Sequence, residues 1–281
     1  MTGSLSAHAA INVKDRGANG NGRSDDTAAI QAAINAVDKG GTVFVPKGVY
    51  MVDALKSVRL KSDMSFKLAE GAVLQVIPNE AAGYALLQIE GRRNVSVLGG
   101  LLQGDRDQHK GKTGEWGFGI YVGGNSERVS VKDTVARDMW GDGFYVGGAR
   151  SVTLENVIGD RNRRQGLSVV EVQGLVVRGS SFTNTFGTRP AAGIDIEPDQ
   201  GNSVHDVKIY DCSFKDNDGA GIKIAGKRGT VARVTVACCR YDGNQPLKVG
   251  GVPNAKKYNL IVLKALAYFG FFKYHPTNLE L

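Results

Sequence analysis

No run in this sequence approaches the roughly 18 consecutive apolar residues that a membrane-spanning helix needs, so a helical membrane span is excluded. Cysteine is scarce. Three residues, an odd number, make a poor disulfide framework and carry no zinc-ligand spacing, although a bridge between Cys212 and Cys239 stays open. Four scattered histidines form no visible catalytic triad. The glycine-rich segments lack a P-loop lysine or a βαβ setting, which excludes those nucleotide-binding modes. The net charge of +7 comes without zinc-finger spacing, an RNA-binding signature or a recognition helix. It therefore points away from nucleic acid and fits a polyanionic carbohydrate at least as well. Seven prolines form no Pro-rich tract, whereas 38 glycines, about twice the usual ~7% share, suit a chain with many tight corners.

Those glycines are ordered. Five times a glycine precedes a large apolar residue, a variable one and a β-branched one: Gly119-Ile120-Tyr121-Val122, Gly143-Phe144-Tyr145-Val146, Gly166-Leu167-Ser168-Val169, Gly193-Ile194-Asp195-Ile196 and Gly221-Ile222-Lys223-Ile224. The spacings are 24, 23, 27 and 28 residues. A period in the twenties marks a solenoid, whose repeats bury their apolar sides only by stacking on one another. Apolar residues alternate with period two inside each repeat, which predicts short strands. With Ile194 and Ile196 pointing inward, Asp195 and Glu197 point outward and are expected to be exposed. Tyr121, Tyr145, Ser168, Asp195 and Lys223 then line up along one outer face, one per coil. Earlier coils fall near Val58–Leu60, Ser65–Leu68, Val73–Val76, Leu86–Ile89 and Val95–Val97, and the last ends near Val249. Roughly eight coils at a strand spacing of about 4.8 Å give a rod on the order of 40 Å long. Cys212 and Cys239 occupy equivalent places in successive coils and are expected to stack inside as small apolar residues.

The ends differ from the middle. Residues 1–10 read as a leader or tag-like start. Ala7-His8-Ala9 is like the A-x-A end of a secretory signal without its hydrophobic part. The expected location is secreted, extracellular or periplasmic, with a cytosolic start left open. After a short strand at Asn12 and a glycine turn, a cap helix is expected over about 24–38. It begins at Ser24, carries Asp25 and Asp26 at its positive end, and buries Ile30, Ile34 and Val37. Gly40-Gly41 end it, and the strand Thr42–Val45 and the turn Pro46-Lys47-Gly48 follow. Residues 11–255 make one solenoid domain. Residues 256–281, with the apolar run Leu260–Phe272, break its pattern and read as a cap on the last coil, a partner-binding segment or an altered end of the frame.

The stretch Asp15-Arg-Gly-Ala-Asn-Gly-Asn-Gly-Arg-Ser-Asp-Asp-Thr-Ala-Ala-Ile-Gln-Ala-Ala-Ile34, followed by Gly40-Gly-Thr-Val-Phe-Val-Pro-Lys-Gly-Val-Tyr50, resembles the opening of pectate-lyase-like right-handed parallel β-helix proteins. Phage tailspike depolymerases, mannuronan epimerases and polygalacturonase-like hydrolases share it. The resemblance is close over about residues 11–50 and rests on coil pattern over 51–250. It implies an all-β, right-handed parallel β-helix with an N-terminal capping helix and a sugar-binding outer face. It fixes no reaction, because the opening belongs to the cap. The Tyr-Gly-Phe-Asp-Pro-His stretch of the mannuronan epimerases is not matched: Gly143-Phe144 is followed by Tyr145 and Val146, so both its Asp and its His are missing.

Asp195 and Glu197, in Gly193-Ile-Asp-Ile-Glu-Pro-Asp199, are the foremost chemical candidates. Two apart on one strand face, their Cβ atoms lie about 7 Å from each other. Rotation then reaches either carboxylate separation of glycoside hydrolysis, about 5–5.5 Å or about 6.5–9.5 Å. Crowding should raise one pKa and keep that group protonated as a general acid. The bland alternative is a solvated strand face with Lys223 paired to Asp195. Asp142, between Gly141 and Gly143 at a corner two coils earlier, is a third candidate acid, with room for a ligand to approach its backbone, or else an ordinary turn residue. Arg163 and Arg164, in the basic corner Arg161–Gln165, suit carboxylate recognition. The long excursion Gly104–Gly117 offers Glu115 as a further acid and Trp116 as a sugar-stacking ring. No metal-ligand spacing stands out, and no cofactor is expected. Asp195, Glu197 and Asp199 could still gather Ca²⁺.

The preferred expectation is a glycoside hydrolase acting on a polysaccharide, with Asp195, Glu197 and Asp142 dividing the acid and base or nucleophile roles. Arg163, Arg164, Lys223, Tyr145, Tyr121, Trp116 and Glu115 would hold the substrate. The first alternative is a lyase for a uronate polymer that uses Arg163, Arg164, Lys223 or Tyr145 in its chemistry. The second is a carbohydrate-binding or tail-fibre module without catalysis. The oligomeric state is left open.

Overall fold

A computed structural model describes residues 10–251 and the strand Ile261–Leu263. Every strand pairing in it is parallel, as for Ile120–Val122 on Phe144–Val146 and Val135–Arg137 on Ile158–Asp160. Parallel strands joined by crossovers within one sheet wind right-handed, and the chain is a right-handed parallel β-helix. One sheet of 15 strands carries the first two faces of each coil, and a second of nine strands carries the third. Nine rungs replace the eight expected because the coil under the cap, Asn21–Asp25, is itself one.

Three kinds of corner define a coil. Long strands such as Trp116–Lys132 and Asp142–Glu155 run across the first bend, where Gly124 and Asn125 or Gly148 take left-handed backbone. A second left-handed position leads into the third face at Asp133, Asn156, Gly179, Asp211 and Cys238. A third leaves it at Asp138, Arg161, Asn184, Asp216 and Gly243. Glycine, asparagine and aspartate tolerate this conformation best, so the glycine surplus and many of the aspartates mark corners.

Inside, like residues stack on like. Phe182, Phe214 and Tyr241 stack with ring centroids 5.8 and 5.2 Å apart. Beside them runs a ladder of buried amides. The Met139 N–H donates to Asn162 Oδ1 at 3.1 Å, and the Thr185 N–H donates to Asn217 Oδ1 at 3.0 Å. Asn162 and Asn217 return their amide hydrogens to Ala136 and Phe182 carbonyls. Such bonds satisfy backbone groups at corners that no strand partner reaches. Cys212 is buried and Cys239 half-buried, each thiol set 3.3 Å from the carbonyl two residues before it, with no disulfide.

The cap differs from expectation at its ends. The helix spans Thr27–Ala36, not 24–38. Ser24 and Asp25 belong to the strand Asn21–Asp25, which pairs with Gly48–Val52. Asp26 spends its carboxylate on the Asn19 and Gly20 N–H groups of the glycine turn, and Asp25 takes the Thr27 N–H. The C-terminus comes at Val37, whose backbone is extended, before Gly40-Gly41 is reached. Ile30, Ile34 and Val37 are buried as expected, with the strand Thr42–Val45 next. Residues 1–9 of the leader-like start lie outside the described residues. So does the apolar run Leu260–Phe272, except for the strand Ile261–Leu263, which pairs with Thr230–Ala237.

Candidate functional site

The predicted row exists in register. Tyr121, Tyr145, Ser168, Asp195 and Lys223 are successive partners across five coils, extended by Gln88 before and Lys248 after. Their neighbours Ile194, Ile196, Ile222 and Ile224 are in the core.

The facing is right, but the exposure of Asp195 is not. It is only 3% exposed. The next coil lays Lys223 over it, Nζ 3.3 Å from Oδ1, and Gln165 from the preceding coil donates Nε2 to Oδ2 at 3.1 Å. Lys223 Nζ also meets Glu197 Oε2 at 2.5 Å, and that carboxylate stays 40% exposed. One ammonium thus joins two carboxylates in different surroundings. Burial, aided by the charge of Glu197, pushes Asp195 up to about 6 against the pull of Lys223. Burial acts on Glu197 too, but the hydrogen bond and charge of Lys223 outweigh it and leave Glu197 below its ordinary value. An ion such as Ca²⁺ would have to displace this ammonium to use both groups.

Asp142 is not at an open corner. It starts the strand Asp142–Glu155 and is fully buried. A Cβ on Gly141 would lie 2.3 Å from the Glu115 carbonyl oxygen, and one on Gly143 2.7 Å from Asn162 Nδ2. The two glycines therefore admit the protein's own backbone and side chains, with no gap left for a ligand. Asp142 accepts from Arg164 Nη1 at 2.9 Å and from Ser168 Oγ at 2.8 Å, while Oδ1 has no partner among the described residues. Burial pushes it up to about 7 despite Arg164 and Ser168.

The basic corner is equally committed. Arg163 stacks 3.8 Å above the Trp140 ring and donates to the Gly114 and Trp140 carbonyls, so it holds the long excursion and is not free for substrate. Arg164 lies between Asp142 and Glu115, 3.5 Å from the latter. The excursion is pinned from its other end as well. Tyr84 and His109 both bond Asp105, and His109 stacks on Trp140 with centroids 3.9 Å apart. Trp116, where the next strand begins, remains 51% exposed.

Upstream along the row the surface is aromatic. Tyr121 and Tyr145 stack at 5.4 Å, and Phe118 adds to Tyr145 at 4.5 Å. Both tyrosine rings lie back over Gly123 and Gly147, where any Cβ would clash with them. Burial pushes the Tyr145 hydroxyl up to about 12, so it holds its proton at neutral pH.

Gln165, Trp140, His109, Asp105 and Tyr84 escaped the sequence reading. Gln165 was findable: it precedes Gly166 as Asp142 precedes Gly143, and the two are register partners. Tyr84 and Trp140 join residues 21 to 56 positions away, which no local signal announces, whereas His109 and Asp105 lie four apart within the excursion.

Residues 10–65 match the family described as rhamnogalacturonase A/epimerase, pectate lyase-like, and residues 113–259 match the right handed beta helix region. The SPbeta prophage-derived protein YorA of Bacillus subtilis is 30% identical over 227 residues, 68% of this chain and 39% of YorA. A mannuronan C5-epimerase of Azotobacter vinelandii is 29% identical over 259 residues, 76% of this chain and 25% of the relative. The chain therefore spans well under half the length of these relatives. Among solved structures, the N-terminal fragment of bacteriophage phi29 gene product 12 superposes with a TM-score of 0.71 at 19% identity, over 85% of this chain and 43% of that one. The Streptococcus pneumoniae surface adhesin PfbA gives 0.61 at 17% identity, over 90% and 78%. At these identities the two structures speak for the fold.

Proposed function

This chain belongs to the right handed beta helix region family, and from that premise we propose that it binds a neutral polysaccharide along the Tyr121–Lys223 row and hydrolyses it. Asp195 is the general acid and Glu197 the base or nucleophile. The carrying observation is their unequal environment: two carboxylates on one face, sharing Lys223, one pushed up to about 6 and the other held low. A pair whose surroundings drive its pKa values apart is the signature of divided acid and base roles. The stacked Tyr121 and Tyr145 rings and exposed Trp116 supply apolar faces for sugar rings.

Several observations favour hydrolysis over elimination. A lyase must offer a uronate a free cation, yet Arg164 and Lys223 are each held by two carboxylates and Arg163 by Trp140. Tyr145, protonated up to about 12, is a weak base for removing a C5 proton. The relative named a mannuronan C5-epimerase supports a polysaccharide ligand, while the missing Asp and His after Phe144 turn the reading away from its reaction. Asp142 and Arg163 become supports of the site. The near-complete burial of Asp195 favours one second reading, a binding module without turnover, unless Lys223 rotates aside to uncover the acid.

A panel of neutral and uronic polysaccharides, read by two assays, tests this. The expected result is new reducing ends on a neutral polymer without an ultraviolet-absorbing product. An unsaturated sugar product would establish elimination instead, and binding with no product would establish the module.

A further inference from the structure

Across the first bend from the row lies a groove of about 680 Å³ that the proposed chemistry does not use. It is concave because Asn125 and Gly148 turn the chain there in left-handed backbone. Its polar walls come from Asn125, Arg150, Glu171, Gln173, Ser203 and His205, spread over four successive coils, with Arg233 of the next coil closing one end. Arg150, Gln173 and His205 are register partners, so their side chains repeat at about 4.8 Å along the rod. That spacing is close to the length of one sugar unit in an extended glycan.

The groove differs from the row in one respect. Around Asp195 nearly every polar group is bound to another. Among the described residues, those six side chains make no hydrogen bond or ion pair, and His205 Nδ1 is buried without a partner. Polar groups that are half-buried are ordinarily satisfied, so the unpartnered Glu171, Ser203 and His205, beside the exposed Asn125, Arg150 and Gln173, point to a ligand that satisfies them. The guanidinium of Arg150 and the carboxylate of Glu171 balance, and Arg233 is neutralised by Asp206 at 2.6 and 2.8 Å. The floor, Ala149 and Val172, is small and buried. A balanced polar groove with no large apolar surface suits hydroxyl groups better than phosphates, uronates or a lipid.

We propose that this groove is a second, non-catalytic polysaccharide site. It takes a neutral glycan chain of about four sugars, set by the coil spacing, parallel to the helix axis. The proposal rests on the polysaccharide reading above but not on hydrolysis. Arg150 and Gln173 are both exposed, so their removal should leave the melting temperature unchanged. The test is migration in native gels containing xylan, laminarin, dextran, galactomannan or polygalacturonate. At least one neutral polymer should retard the protein. Glu197→Gln should still be retarded, and Arg150→Ala with Gln173→Ala should weaken retention about tenfold, as loss of a charged hydrogen bond does. Retention unchanged in the double variant but lost in Glu197→Gln would overturn the groove and keep the row. Retention by polygalacturonate alone would overturn its neutral specificity. No retention of the native protein by any of the five would overturn the groove and the polysaccharide reading together.

Discussion

Glu197→Gln and Asp195→Asn should each lower turnover of a neutral polysaccharide at least about a hundredfold while the coil structure stays intact, because each removes a proton-transfer group or a nucleophile. The pH profile follows from the same environments. Asp195 works only while protonated, so the rate should fall as pH rises through about 6. Glu197 works only while ionised, and Lys223 holds its titration below the ordinary glutamate range, so the acid limb should lie lower still. The rate is then greatest between the two. Steady-state kinetics of both variants and the native pH profile check this. Near-native rates in both would reduce the pair to a Lys223 ion-pair bracket on a strand face.

Asp142→Ala should be the most damaging substitution to the scaffold among the site residues, costing about 3 kcal/mol near pH 5. There the buried carboxyl still holds its proton in the folded chain, and its removal leaves the Ser168 hydroxyl and the mostly buried Arg164 without their shared acceptor, with Glu115 at 3.5 Å compensating Arg164 only in part. In a chain of this size that lowers Tm by roughly 5 °C. Asp142→Asn should cost much less, since the amide oxygen still accepts from Ser168 Oγ and Arg164. The pH dependence has a definite sign. The folded value of about 7 is raised above the unfolded one near 4, so the stability Asp142 contributes is complete below about 4 and is lost as pH rises through about 7. Asp142→Asn should therefore gain on the native protein across that window. Equal losses for the Ala and Asn variants at every pH, in thermal melts, would contradict this account of Asp142.

The fold was legible where one residue's fate depends on its near neighbours. Alternation at Gly193-Ile194-Asp195-Ile196 placed two isoleucines in the core and Asp195 on the outer face, and parallel stacking aligned it with Ser168 and Lys223. What period-two reasoning cannot supply is how deeply an outward side chain is covered. Gln165 and Lys223, 30 and 28 residues away, decide that for Asp195. Arg163 was misread for the same reason: its planar face finds Trp140, 23 residues earlier, before any substrate. At the cap, Ser24-Asp25-Asp26 carries the residues of a helix start, but the glycine turn competes for Asp26, and the helix begins at Thr27, three residues after the expected Ser24.

The central claim is that Asp195 and Glu197 share a face yet differ in protonation. Carbon-13 NMR of the side-chain carboxyls, titrated from about pH 3 to pH 9 and assigned with Asp195→Asn and Glu197→Gln, measures it directly. The account predicts that the Asp195 resonance titrates near 6 and that of Glu197 below the ordinary glutamate value. Two carboxyls titrating together in the ordinary range would contradict it, and with it the division of acid and base roles.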